Sequence, residues 1–200
     1  MTVCVKIPEF LAPHEREGVV YEIGQIYRDL EPERIDTLSR NRVYVDKVFE
    51  DRRDESYILK ILHEKLFSTR VYNKTNMMPD GAFQALPFTT RHETQLSIYM
   101  DGDWYGWHRD HNDQWHRLLN FVYYLNLAGD FTGGELELSH RPEEIDDVNK
   151  LKANETIPPI DNTLILFPSY IWHRVKEVKM QSNHMLHGRI TINGHIGFWQ

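Results

Sequence analysis

The chain has 200 residues, a formal net charge of −7 and a single cysteine, Cys4. That length is enough to bury a core of its own, and the acidic balance argues against a broad phosphate-binding surface, so nucleic acid is not an expected partner. One cysteine excludes an intrachain disulfide and fits a reducing compartment. With no signal-peptide pattern at the N-terminus and no apolar run long enough for a bilayer, the expectation is a cytoplasmic protein without a membrane partner, monomeric or homodimeric.

In chain order, Pro13–Leu30 reads as an amphipathic helix, because Val19, Val20, Ile23, Ile26 and Tyr27 recur at helical spacing. Val43–Phe49 alternates as a strand does. Glu55–Phe67 reads as a second helix with Ile58, Ile61, Leu62 and Leu66 in one stripe, capped by Asp54. After Pro87 the pattern changes to short β-branched and aromatic stretches punctuated by Gly, Asn, Asp and Pro. The predicted strands are Thr94–Met100, Trp104–Arg109, Leu118–Leu127, Glu135–Leu138, Thr163–Phe167, Trp172–Val178 and Gly188–Asn193. Such spacing predicts an antiparallel sandwich or barrel. Arg141–Pro159 is read as a polar surface loop with a little helix, and Gln181–Met185 as a shorter loop.

Strand parity adds information. Gln95, Ser97 and Tyr99 share one face of their strand, with Leu96, Ile98 and Met100 on the other. Arg189, Thr191 and Asn193 oppose Ile190 and Ile192 in the same way. Two readings stay open: a solvated outer face, or a barrel mouth lined with polar groups whose apolar back lies under the N-terminal helices.

Trp107-His108-Arg109-Asp110-His111 ends a predicted strand, where residues two apart project to one side, so His108 and Asp110 can chelate one ion. His173, at the start of a later strand, offers a second imidazole. Two histidines and one carboxylate on one face of an octahedron leave three positions open, which suits Fe(II) binding a cosubstrate and dioxygen. A His-x-Asp alone is weak in a chain with eleven histidines. His111, His116 and His140 are nearby competitors, read as polar residues without a metal.

The run from Glu93 to Asp110 holds Gln95, Tyr99 and Gly102, then an aromatic pair, then His108 and Asp110. It is followed by Arg117–Asn126, Gly133-Gly134-Glu135-Leu136, Leu164–Ser169, His173 and Gly188-Arg189-Ile190-Thr191. In order and spacing over roughly residues 90–195, this resembles the 2-oxoglutarate/Fe(II) dioxygenase superfamily, in the branch like prolyl 4-hydroxylase. The resemblance implies a mainly β fold with flanking N-terminal α-helices, a double-stranded β-helix of the jelly-roll or cupin-like type. It implies one dioxygenase domain over 1–200, helical over about 1–85 with a catalytic core over about 86–200. His108, Asp110 and His173 would hold Fe(II), and Tyr99, Arg189 and Thr191 would bind 2-oxoglutarate. Arg189 lies further past His173 than is usual, with Gln181–His184 as a loop taking up the excess; Lys176 and Lys179 are the fallback cations. O2 is the further cosubstrate and ascorbate a possible reductant.

The implied reaction is hydroxylation of an unactivated C–H bond of an amino acid, peptidyl residue or small metabolite, releasing succinate and CO2. The carboxylate of Asp110 favours hydroxylation over halogenation, while desaturation and ring formation stay open. Trp104, Tyr105, Trp107 and Trp115 are candidate substrate contacts. Gly133-Gly134 is read as a turn without chemistry. Two alternatives stand beside this: a cupin-type metal dioxygenase or isomerase, whose usual glutamate is matched here by Asp110 with Glu135 on a different strand, and a non-catalytic jelly-roll binding protein.

Overall fold

The computed structural model describes residues 3–33, 43–45, 54–89, 91–110, 116–140 and 147–198. Strand β1 (Val5–Ile7) precedes helix α1 (Pro13–Ile26), and short strands β2 (Glu31–Glu33) and β3 (Val43–Val45) pair with each other. Among the described residues the helices α2 (Tyr57–Leu66), α3 (Thr69–Thr75) and α4 (Gly81–Gln84) follow. The remaining strands are β4 (Arg91–Tyr99), β5 (Tyr105–His108), β6 (His116–Leu125), β7 (Phe131–Gly133) and β8 (Leu136–Ser139), then β9 (Glu155–Ile157), β10 (Thr163–Pro168), β11 (Trp172–Val175), β12 (Val178–Met180) and β13 (Arg189–Phe198).

The larger sheet has five strands in the order β1-β10-β6-β13-β4, and a second has four in the order β5-β11-β8-β9. Pairing is antiparallel throughout both. This is the double-stranded β-helix arrangement expected from the sequence.

The N-terminal helices cover the back of the larger sheet. Val19 and Ile23 of α1 and Ile58, Leu62 and Leu66 of α2 pack in one cluster with Leu96, Ile98, Phe121, Ile190 and Ile192. Each is buried, and burying such a side chain is worth about 1.5–3 kcal/mol. That settles the parity question. The apolar faces of β4 and β13 meet the helices, so Tyr99, Arg189 and Thr191 turn into the space between the sheets.

That space is graded. Leu136, Leu138, Ile157, Ile165 and Phe167 fill part of it with apolar packing. Beyond them the inner face becomes polar, in rows fixed by register: Thr191 lies between Ser97 and Tyr124, and His195 between Glu93 and Asn120.

Several boundaries differ from the sequence reading for local reasons. Ser56, not Asp54, caps α2, its Oγ accepting from the Leu59 N–H at 3.2 Å. The Arg141–Pro159 loop includes strand β9, which pairs Leu136 with Ile157; residues 141–146 lie outside the description. Trp172–Val178 divides into β11 and β12, because β12 leaves the second sheet to pair with β7. Strand β13 runs on past Asn193, since a Cβ at Gly194 would come within 1.8 Å of the Glu93 carbonyl oxygen. There glycine permits close strand approach instead of ending the strand. Of the predicted strand Val43–Phe49, residues 46–49 lie outside the description.

The helix pair carries an ionic tie. Glu15 accepts from the Ala12 N–H at 2.8 Å and meets Lys65 Nζ at 2.6 Å. Burial alone would raise the Glu15 carboxyl, but the Lys65 ammonium and the Ala12 N–H outweigh it and hold it below its ordinary value. A lowered folded-state pKa stabilises the fold above the unfolded value and ceases to do so as pH falls through the folded one. Glu15→Gln is therefore expected to lower the melting temperature at neutral pH, with the gap to wild type closing in acid below about pH 4. A gap that persists unchanged in melts at low pH would contradict this ionic role.

Candidate metal centre

His108 closes β5 and His173 lies in β11, and the two are direct register partners. Between the pairs His173–His108 and Val175–Tyr105, β5 holds one residue more than β11. This bulge lets Tyr105 and His108, three apart in sequence, face the same cavity. Asp110 lies just beyond the strand, where its N–H donates to the Ser169 carbonyl at 3.2 Å.

The result is a tight cluster. His173 Nε2 is 3.1 Å from Asp110 Oδ2, and His108 Nε2 is 3.8 Å from Asp110 Oδ1. The two imidazole centroids are 4.0 Å apart. One ligand atom from each of the three side chains falls within 4.8 Å of the others.

The hydrogen bonds fix which nitrogens face inward. His108 Nδ1 lies 2.8 Å from the Gly106 carbonyl and His173 Nδ1 lies 3.0 Å from the Ile171 carbonyl. A carbonyl only accepts, so each Nδ1 carries a proton and each Nε2 is left to face Asp110. Burial, aided by His173, lowers His108 to about 3 and keeps it neutral. Burial works against ionisation of Asp110, but the neighbouring His173 outweighs it and holds the carboxyl well below its usual range. An imidazole nitrogen and a carboxylate oxygen at such distances are held together by a positive charge between them, a proton or a metal ion. The donor set fits a divalent metal of borderline character such as Fe(II).

Two further residues join the cluster that the sequence reading did not single out. Asn120 Nδ2 donates to Asp110 Oδ2 at 2.7 Å, and its Oδ1 lies 2.9 Å from His195 Nδ1. Burial lowers the His195 imidazole to about 4. A signal for Asn120 was present in the sequence, where one amide interrupts the apolar run from Leu118 to Leu125. His195 continues the every-other-residue series from Arg189.

A cavity of about 280 Å³ is lined by the three clustered side chains and also by Tyr99, Arg189 and Thr191. Arg189 is only 2% exposed. Its Nε donates to the Gly134 carbonyl at 2.7 Å, and its Cζ lies over the rings of Tyr99 and Tyr124 at 4.9 and 5.1 Å. Among the described residues no carboxylate comes within ion-pair distance of it. A buried guanidinium so placed is a receptor for an anion. Burial raises Tyr99 to about 12, keeping the phenol protonated and able to donate. Thr191 Oγ1 donates to Asn193 Oδ1 at 3.1 Å.

Gly134 is more than a turn residue, contrary to the expectation from sequence. At a φ of +68°, a Cβ there would lie 2.6 Å from Arg189 Cδ. The missing side chain makes room for the guanidinium stem, and the carbonyl orients its Nε. Gly134→Ala is expected to cost roughly 1–3 kcal/mol of stability from the left-handed backbone. It should also weaken anion binding, and melts with ligand titrations would detect either loss.

Among the other candidates, Tyr105 lines the cavity, its ring centroid 4.0 Å from that of His108. Trp104 and Trp107 do not line it. Trp107 is buried on the other side of the bulge under the Arg174 guanidinium, whose Cζ is 4.7 Å from its ring. Trp115, His111 and the His116 side chain lie outside the described residues, and His140 stands apart from the metal-binding group. Lys176 pairs with Glu135 at 3.6 Å and Lys179 pairs with Glu177. Neither lysine lines the cavity, and Glu135 is not in the metal-binding group.

Comparison with known proteins agrees with this geometry. The model of the 2OG-Fe(II) oxygenase superfamily matches residues 94–197, just over half of the chain. An uncharacterised PKHD-type hydroxylase of Synechocystis is 27% identical over 198 residues, covering 96% of this chain and 62% of that protein. The chain therefore spans less than two thirds of that relative. A prolyl-4-hydroxylase of Pseudomonas putida aligns with a TM-score of 0.58 at 17% identity, over 98% of this chain and 93% of its own. A prolyl hydroxylase of Trichoplax adhaerens, solved with a peptide fragment of the hypoxia inducible factor oxygen degradation domain, aligns at 0.64 and 22%, over 97% and 83%. At these identities the solved structures speak to fold, and the sequence match speaks to family. The match sets aside the cupin alternative: the chain belongs to the 2OG-Fe(II) oxygenase superfamily, and its fold is that of the prolyl hydroxylases it aligns with.

Proposed function

We propose that this protein hydroxylates an unactivated C–H bond of an amino acid, a peptidyl residue or a small metabolite, with His108, Asp110 and His173 holding the iron. The observation that carries this reading is a shared cavity: the His/Asp/His cluster and a buried guanidinium without a carboxylate partner among the described residues line the same space. When bound, ferrous iron with 2-oxoglutarate supplies the power to insert one oxygen atom of O2 into a C–H bond, with succinate and CO2 as by-products. Ascorbate would serve as the reductant that keeps the metal ferrous.

The chain's own residues do the rest. Arg189 offers parallel N–H donors to the distal carboxylate of 2-oxoglutarate, in a site where burial strengthens charge-assisted bonds. Tyr99 and Thr191 add hydroxyl groups beside it. The N–H of each Nδ1, held by its carbonyl, keeps both Nε2 lone pairs directed at the metal. Asp110 stays ionised and supplies the negative charge. Residues about 1–85 and 86–200 work as one catalytic unit, because α1 and α2 bury the back of the sheet whose front carries Arg189.

Polar groups near the metal favour a polar substrate. Arg117 pairs with Glu93 through its Nη2 at 2.7 Å, and both Arg117 and His195 line the cavity. With Nδ1 donating to Asn120, His195 presents Nε2 as an acceptor, which suits a substrate bearing N–H or O–H groups. The peptide bound by the Trichoplax enzyme is in keeping with a peptidyl target. The test is to incubate the Fe(II)-loaded protein with 2-oxoglutarate and a panel of amino acids and peptides. Substrate-stimulated succinate with a product gaining one oxygen supports the reading; a panel giving neither, from protein that binds both iron and 2-oxoglutarate, counts against an amino-acid or peptide substrate.

A further inference from the structure

The amide of Asn120 is buried on β6, 3% exposed, between a metal-cluster carboxylate and a second imidazole. Its orientation is determined by chemistry. A carboxylate that ligates a metal only accepts, so the NH2 of Asn120 faces Asp110, 2.7 Å from Oδ2. Oδ1 then faces His195 Nδ1 at 2.9 Å, and that nitrogen must be the donor. A continuous chain thus runs from His195 through Asn120 to Asp110, crossing from β13 to β6 by way of the register pair His195–Asn120.

The direction of this chain has a consequence for the carboxylate. Oδ2 is engaged by the amide, while Oδ1, the oxygen on the His108 side, accepts no hydrogen bond among the described residues. Two imidazoles and one carboxylate oxygen would fill half of the positions round a bound metal; a carboxylate gripping through both oxygens would take one that the cosubstrate or dioxygen needs. We propose that Asn120 is a positioning residue that orients Asp110 toward the metal through Oδ1, and that His195 in turn holds the Asn120 amide in its productive orientation. This rests on the reading of His108, Asp110 and His173 as the metal site.

Outer-shell partners of metal ligands typically contribute roughly ten- to a hundredfold to metal affinity. The test uses Co(II), a redox-stable stand-in for Fe(II), titrated into the apo 200-residue chain by calorimetry and by visible absorption. Asn120→Leu keeps the side-chain volume but removes the donor. It is expected to raise the Co(II) dissociation constant about tenfold or more and to alter the ligand-field bands, with the melting temperature of the apo protein little changed.

His195→Leu frees the amide to rotate and is expected to raise the dissociation constant by a smaller factor. His195→Asn, whose NH2 overlays the imidazole Nδ1–H, is expected to restore it. An Asn120→Leu protein that folds and binds Co(II) as tightly as wild type, with unaltered bands, overturns the proposal. Should Asn120→Leu not fold, equal Co(II) affinity in His195→Leu and wild type overturns it instead. Failure of the wild-type chain to bind Co(II), or undiminished binding by His108→Ala, would strike the metal-site reading itself and is distinguishable from either result.

Discussion

Arg189→Leu is expected to weaken 2-oxoglutarate binding by about a hundred- to a few thousandfold, corresponding to the roughly 3–5 kcal/mol lost when one member of a buried ion pair is removed. The loss is large because the cosubstrate's distal carboxylate would be left in a cavity whose described lining supplies no other buried guanidinium. The apo protein should respond differently. Leucine removes a buried charge that has no carboxylate partner among the described residues, at the loss of one hydrogen bond to Gly134 and the contacts with Tyr99 and Tyr124. Stability should fall far less than ligand affinity, or rise. Calorimetric titration with 2-oxoglutarate and a parallel melt separate the two effects. Unchanged affinity would move the anion site elsewhere.

His173→Ala is expected to reduce turnover by roughly a thousandfold or more, beyond the ten- to hundredfold typical of residues one step from a metal. It removes one of the three proposed ligands and leaves Asp110 Oδ2 with Asn120 alone. With two of the three proposed ligands left, the site should also hold the metal more weakly. Single-turnover assays at saturating iron, together with metal titrations, read both consequences. Activity within a few fold of wild type would contradict a ligand role.

The sequence carried much of this because the fold's periodicities are local. The alternation in β4 and β13 separated the helix-facing isoleucines from Tyr99, Arg189 and Thr191, and the His-x-Asp spacing placed two clustered side chains on one side. His173 was legible only through the ordered set of motifs around it, since no local rule links it to a strand some sixty residues earlier. What escaped lies across strands. Asn120 and His195 acquire meaning from the pairing of β6 with β13, and Gly134 from the closeness of an arginine 55 positions later. The predicted strand stopped at Asn193, and Gly194 just beyond it is the point where two backbones approach too closely for any Cβ. Trp107 looked like a substrate contact until the bulge in β5 turned it away from the cavity.

The most direct test is a crystal structure of the protein soaked anaerobically with Fe(II) and 2-oxoglutarate, with anomalous scattering locating the iron. The account predicts one strong peak within bonding distance of His108 Nε2, His173 Nε2 and an oxygen of Asp110, with the cosubstrate's far carboxylate on Arg189. Iron bound at full occupancy elsewhere, or held by the 108/110 pair with the ring of His173 turned aside, would contradict it.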